Sequence, residues 1–297
     1  MHAKLSRRRF LKTTGALIAS STAVAPTFGA ASDKPVLEIG VHPYSLRPLF
    51  ASGDVTLDSY ARFARQSLAL EIIEFDADAC APLYEKPERA DAYRRGAHDE
   101  GVRIGTLLAG ATPALDAPTA RERQSAVEAH LRWTDVAHRL GCAFLRIRAG
   151  TSGRSKSDAK AAAIDGIGDL ASRMTGSGVR PLLENIQGHS RDPAWLTGIV
   201  DSVGPERLGA LGDFGNFDGD IYKGMEVLTP YCDALCSKSW DFDAVGEETE
   251  IEFEKILGVV RSHRFSGWIA IEYLGSNTPP AEGVRKTSAL IRKWANV

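Results

Sequence analysis

After its first thirty-one residues the sequence contains no run of eighteen or more apolar residues, so nothing in its body spans a bilayer as a helix. Charge of one sign is also missing. Lys and Arg number 36 against 38 Asp and Glu. Lys4, Arg7, Arg8, Arg9 and Lys12 all fall within residues 1–31, which hold no acid, so the rest carries 31 bases and 38 acids, a balance of −7. A weakly acidic body lacks the basic face that phosphate binding needs, which argues against nucleic acid as a partner. Cysteine is sparse, at Cys80, Cys142, Cys232 and Cys236. A zinc site would want a second close pair, and a strand running through Cys236 sets a bond to Cys232 at odds with the local geometry, so the four read as small buried side chains. No Gly-rich phosphate turn follows Ile39-Gly40-Val41-His42-Pro43-Tyr44, which weighs against a doubly wound nucleotide fold. No Pro/Ser linker divides the body, which reads as one domain over residues 32–297. With 43% apolar, 25% charged and 8% aromatic residues, a disordered, collagen-like or coiled-coil chain is excluded.

What is present begins with an address. Ser6-Arg7-Arg8-Arg9-Phe10-Leu11-Lys12 precedes a mild apolar stretch from Thr13 to Ala25, and Gly29-Ala30-Ala31 offers small residues for cleavage. This reads as a twin-arginine export signal over residues 1–31, with the periplasm as destination. A basic amphipathic anchor is the other reading, but Gly15, Ser20, Ser21 and Pro26 make a poor helix. The twin-arginine route moves folded proteins, so a cofactor can be loaded before export.

The body alternates short apolar runs with longer amphipathic segments. The runs are Leu37–Val41, Leu70–Phe75, Val102–Leu108, Ala143–Ile147, Arg180–Leu183, Arg207–Leu211, Ala234–Ser237 and Trp268–Ile271. Helical periodicity marks Val55–Leu70, Ala120–Leu140, Ala159–Met174, Pro193–Val203, Ile251–Arg261 and Ala281–Ala295. Gly101, Gly141, Gly178 and Gly267 stand just before strands, where a helix cap needs a left-handed residue. Eight β-then-α units in this length predict an α/β fold, a (β/α)8 TIM barrel.

In such a barrel the chemistry gathers at the C-terminal strand ends. Those ends offer His42, Glu74, Arg146 and Arg148, Glu184-Asn185, Asp213 to Asn216, Cys236 to Ser239, and Glu272-Tyr273. Glu184, Asp213 and Glu272, each straight after an apolar strand, would converge in the mouth and repel. A divalent cation such as Mg²⁺ or Mn²⁺, protonation of one or two of the acids, or Lys238 would relieve that repulsion. Two glutamates flanking a polarised carbonyl suit proton abstraction from the adjacent carbon through an enediolate. The outcome is isomerisation, epimerisation or, with a β leaving group, elimination.

At these residues the chain resembles the sugar phosphate isomerase/epimerase family of the xylose isomerase-like TIM-barrel superfamily. The resemblance rests on Tyr44-Ser45-Leu46-Arg47, Trp133 with Leu140-Gly141-Cys142, Glu184-Asn185, and Gly212-Asp213-Phe214-Gly215-Asn216-Phe217. It continues through Lys238-Ser239-Trp240-Asp241-Phe242-Asp243 and Gly267-Trp268-Ile269-Ala270-Ile271-Glu272-Tyr273. It implies a divalent metal (Mn, Mg, Co or Zn) held by Glu on strand 5, Asp on strand 6, His on strand 7 and Glu on strand 8. Three of these carry over to Glu184, Asp213 and Glu272, and the two glutamates would double as the catalytic acid and base. Cys236 stands where the family has its strand-7 His, and a thiolate prefers softer ions than Mg²⁺ or Mn²⁺. Asn216 replaces a frequent His after the strand-6 Asp, and Ile186 another after the strand-5 Glu. His189 is then either a nitrogen ligand, a substrate contact or a cap for the helix from Pro193. Without a metal, Lys238 becomes the catalytic electrophile, and a lysine there can also form a Schiff base; a plain salt bridge to Asp213 or Glu272 is the other reading.

His42, Arg146, His189, Asn216 and Trp240 are the expected substrate-binding residues. Arg47, Arg146 and Arg148 suit an anionic group, with one of them pairing with Glu74 instead. Trp240 and Tyr273 are placed to stack on a sugar ring. Trp133 and Trp195 read as core, His130 as buried and hydrogen-bonded, and His98, His138 and His263 as surface residues. The expected partner is a small carbohydrate, with no nucleic acid and no stable membrane insertion of the mature chain. Three functions compete: a sugar isomerase or epimerase, a lyase acting on a 3-keto glycoside or related polyol, and a non-catalytic sugar-binding barrel whose metal site has decayed. A DNA endonuclease is opposed by the acidic body and the shortage of ligand histidines.

Overall fold

Each apolar run between polar loops becomes a parallel strand, because residues buried on both faces need no polar alternation. The computed structural model describes residues 36–295 apart from 111, 151 and 152. The expected export signal lies outside the described residues. The strands are β1 (Leu37–Val41), β2 (Ile72–Asp76), β3 (Arg103–Leu108), β4 (Phe144–Ile147), β5 (Arg180–Glu184), β6 (Gly209–Asp213), β7 (Cys232–Ser239) and β8 (Gly267–Tyr273). They pair in sequence order, all parallel, and β8 closes on β1 to complete the barrel. Every expected strand is found, with ends displaced by a few residues at most.

The helices that periodicity predicts are found too. Ala120–Leu140 starts on a Thr119/Glu122 capping box and stops at Gly141, whose φ of 78° is the left-handed cap. Pro193–Val203 opens on Asp192, whose carboxylate accepts from the Ala194 N–H. Val55–Leu70 is not one α-helix: Leu57–Phe63 passes into a π-turn over Ala64–Leu68. Periodicity gave no helix between β2 and β3 or between β6 and β7. The structure has Ala81–Glu85 and Ala90–Asp99 in the first gap and Ile221–Leu228 in the second. Ala90–Asp99 buries only two alanines, Ala90 and Ala97, so it shows no apolar stripe.

Two cores result. The larger fills the space between strands and helices and contains Trp133 and Trp195. The smaller consists of Ile72, Leu108, Phe144, Leu182, Leu211, Ala234, Cys236 and Trp268, and it plugs the barrel itself. The Phe144 and Trp268 rings lie 5.0 Å apart across this plug. Gly105 makes room for them, since a Cβ there would meet the Trp268 indole at 2.9 Å. No helix among the described residues is long and apolar enough to cross a membrane.

Candidate active site at the barrel mouth

Side chains alternate along a strand, so the residue two steps past an inward apolar one also faces inward, one layer higher. Ile72 is thus followed by Glu74, Phe144 by Arg146, Leu182 by Glu184, Leu211 by Asp213, Cys236 by Lys238 and Ala270 by Glu272. The barrel's filling passes from apolar to ionic within one or two layers.

Lys238 is the hub. Its Nζ lies 3.1 Å from Asp213 Oδ2 and 3.2 Å from Glu272 Oε2, and it donates to Asn216 Oδ1 at 2.8 Å. The β7–β8 register sets Lys238 directly beside Glu272, and the β6–β7 register sets Asp213 beside Cys236. Burial works against the Lys238 charge, but Asp213 and Glu272 outweigh it and raise the ammonium's pKa. Burial pushes Asp213 up to about 7 despite Lys238. Glu272 stays below the usual carboxylate range: burial would raise it, but His42, in the acid range where it is protonated, and Lys238 hold it down.

Asn185 braces this arrangement, a role that sequence reasoning did not assign. It is fully buried. Its Oδ1 accepts from the Asp213 N–H at 2.7 Å, and its Nδ2 donates to the Asp213 and Asn216 carbonyls at 2.9 and 3.2 Å. The turn bearing two functional side chains is therefore pinned to the end of β5. Asp213 Oδ1 also accepts from the Gly215 N–H at 2.8 Å.

Glu184 faces Arg146 instead, with Oε2 3.2 Å from Nε and both side chains buried. Burial raises Glu184's pKa more than Arg146 lowers it. Arg148 donates to the Gly110 carbonyl. The expected pairing of an arginine with Glu74 is not found among the described residues, because Arg146 is drawn to Glu184. Burial raises Glu74 to about 8, against the smaller effects of Thr106 and Trp268, so its carboxyl is protonated at neutral pH. Below about 4.5 the carboxyl is protonated in both folded and unfolded chains. Between that pH and about 8 only the folded form keeps the proton, so stability falls as pH rises, by up to about 1.4 kcal/mol per unit. Glu74→Gln removes that dependence. Urea midpoints at about pH 5 and about pH 8 should therefore diverge less in the variant than in the parent; equal divergence would mean the carboxyl is ionised in the fold.

His42 completes the rim. Its Nδ1 accepts from the Tyr44 N–H at 3.1 Å, and burial lowers its pKa to about 4. The ring is neutral, with its proton on Nε2. Trp240 is half-buried, and its ring edge lies against Gly215 beside the Lys238 stem. His189 stands apart from the acidic cluster: its Nε2 lies 3.0 Å from the Arg154 carbonyl and its ring 5.9 Å from that of Trp195. Asp192, not His189, caps the helix from Pro193. Tyr273 is not at the mouth. One residue past Glu272, it points outward against Gly283 and Phe242 and donates to the Thr278 carbonyl. Arg47 stacks on Tyr44 with 3.4 Å from Cζ to the ring centre. His130 is buried, with Nδ1 2.7 Å from the Ala126 carbonyl. All four cysteines are free.

Asp213, Cys236 and Glu272 each offer a ligand atom within 4.8 Å of the others, and Glu184 is outside this group. That is a donor set for a cation. As the side chains stand, a divalent ion does not fit it, because Lys238 Nζ is within 3.2 Å of both carboxylates. An ammonium and a dication about 3 Å apart repel by roughly 10 kcal/mol at an effective dielectric constant of about 20. Burial and the neighbouring acids also push the Cys236 thiol's pKa far up, which opposes the thiolate a metal requires.

No curated protein matches the sequence significantly. Solved structures match its fold. A 3-keto-D-glucoside 4-epimerase from E. coli, in apo form, aligns with a TM-score of 0.69 at 12% identity over 86% of this chain and 99% of its own. D-psicose 3-epimerase in the presence of D-fructose aligns at 0.69 and 13% identity, over 88% of this chain and 100% of that one. An IolI protein with a bound zinc atom aligns at 0.70 and 12% identity, over 87% and 98%. Residues 64–294 match the profile of the xylose isomerase-like TIM barrel, and the chain belongs to that family.

Proposed function

We propose that this protein is a carbohydrate isomerase or epimerase that moves a proton on a carbon next to a carbonyl, with Glu272 as base and Glu184 as acid. The observation that carries this reading is the set of buried polar atoms at the mouth that lack a hydrogen-bond partner among the described residues. Arg146 Nη1 and Asn216 Nδ2 are such donors, while Glu184 Oε2 meets Arg146 Nε, and Asp213 Oδ2 meets Lys238, as ion pairs without hydrogen-bond geometry, which leaves acceptor capacity on both carboxylates. Donors and acceptors mixed at close range match a polyhydroxylated ligand, whose hydroxyls do both. The His42 Nε2–H adds a further donor beside Glu272.

Burial and neighbours move the two glutamates in opposite directions, Glu184 up and Glu272 down, which is how one site separates an acid from a base. Each feels the other's charge, so a substrate carbon between them can lose a proton to Glu272 and gain one from Glu184. Of the basic groups in the mouth, Lys238 is engaged by two carboxylates and Arg146 by Glu184. The substrate this favours is therefore an uncharged sugar or keto-sugar rather than a phosphate ester. Export by the twin-arginine route to the periplasm belongs to the same reading, supported by Arg7-Arg8-Arg9-Phe10-Leu11-Lys12.

The epimerases among the structural neighbours supply the test substrates. Incubation in D₂O with psicose, tagatose and a 3-keto-glucoside should place one solvent deuteron on the carbon beside the carbonyl. Binding of these sugars with no exchange would leave a sugar-binding barrel instead. Release of an aglycone together with exchange would identify a lyase.

A further inference from the structure

The mouth of this barrel already contains a cation, and it belongs to the chain. Asp213, Cys236 and Glu272 bring one donor atom each to within 4.8 Å of one another, the spacing of ligands around a single ion. Lys238 Nζ stands 3.1 Å from Asp213 Oδ2, 3.2 Å from Glu272 Oε2 and 2.8 Å from Asn216 Oδ1. An ammonium has three protons and no acceptor, and here three oxygens meet it. The stem is held as well: a Cβ on Gly215 would come within 2.9 Å of Lys238 Cδ and 3.1 Å of the Trp240 ring. A further carboxylate of the mouth, Glu184, is matched by Arg146 at 3.2 Å. The third donor of that group is a thiol, Cys236, whose Sγ lies 3.9 Å from Glu272 Oε2. Hard ions avoid such a donor.

We propose that the Lys238 ammonium is the resident cation of this site, taking the position a divalent ion would hold among Asp213, Cys236 and Glu272, and that the protein works without a metal there. In catalytic terms this rests on the proton-transfer reading above. As Glu272 takes the proton from carbon, the C–H electron pair moves towards the carbonyl oxygen, and the charge that develops there is met by the Lys238 ammonium. Glu184 then returns a proton to carbon, and the pair moves back. Nothing is oxidised or reduced and no covalent bond to Lys238 forms.

Metal binding tests this without any substrate. The purified wild type, titrated calorimetrically with Mn²⁺ and with Zn²⁺ and dialysed for metal analysis, should take up no stoichiometric ion. One equivalent of either ion that is lost in Glu272→Gln would overturn the proposal, while leaving the proton-transfer reading to the deuterium experiment. The converse variant removes the ammonium and supplies an imidazole. Lys238→Gln with Cys236→His, checked for native circular dichroism, should bind one Zn²⁺ at least 100-fold more tightly than wild type, and Glu272→Gln added to that pair should abolish the gain. A folded double variant that gains no zinc affinity would also overturn the proposal, because Lys238 would then not occupy the ion's position. The wild-type titration decides even where the double variant does not fold.

Discussion

Glu272→Gln should lower kcat by about 10²- to 10⁴-fold, the usual worth of a positioned general base, with little change in KM. The substitution keeps the shape of the side chain at the end of β8 and removes only the charge and the proton-accepting oxygen. Lys238 retains Asp213 at 3.1 Å and Asn216 at 2.8 Å, so no buried ammonium is stranded and the fold should survive. The same variant should lose deuterium exchange in proportion to turnover. Retention of more than about a tenth of wild-type kcat would remove Glu272 from the role of base. The Glu184→Gln variant separates the two roles: it should still abstract the proton and exchange solvent deuterium, while net conversion to the epimer falls.

Asn185→Leu should be among the most destabilising single changes in the molecule, at about 3–5 kcal/mol. The new side chain is close in volume, so packing is not the cause. The Asp213 N–H and the carbonyls of Asp213 and Asn216 lose their partner. A buried polar group left unsatisfied costs about 1–3 kcal/mol, and Asn185 and Asp213 are fully buried. For a domain of this size the loss corresponds to a fall in Tm of roughly 10 °C. Scanning calorimetry would check it, and a change below about 1 kcal/mol would mean that the turn after β6 holds its shape unaided. Any variant that remains folded should also hold Lys238 less firmly, because Asn216 is one of its three acceptors.

The barrel was legible because its signals are periodic and repeated eight times. Apolar runs bounded by polar ends gave every strand, and helices with a wide apolar stripe, such as Ala120–Leu140, were readable to the residue. Ala90–Asp99 was not, because it presents alanines to the core. The inward acids were legible from position alone, since each follows an apolar strand by a fixed step. Which cation answers which acid was not. Arg146 lies two strands from Glu74 and one from Glu184 along the barrel wall, and it goes to Glu184, leaving Glu74 to be neutralised by its own proton. Tyr273 failed for a simpler reason: a neighbour of an inward residue in a strand faces outward. Asn185 sits beside Glu184 and by the same alternation should face away. Its role at the strand end depends on the turn after β6, whose path no local pattern announces.

The aromatic plug beneath the ionic layer makes the barrel a cup rather than a tube. With Phe144 and Trp268 in contact across the floor, nothing can drain through the far end. A reactant and the species made from it share one doorway, and each must wait for the other to leave. For a reaction between two isomers of near-equal size and polarity, such a cup has no means of telling arrival from departure. Direction is then imposed from outside, by whichever isomer its surroundings deplete.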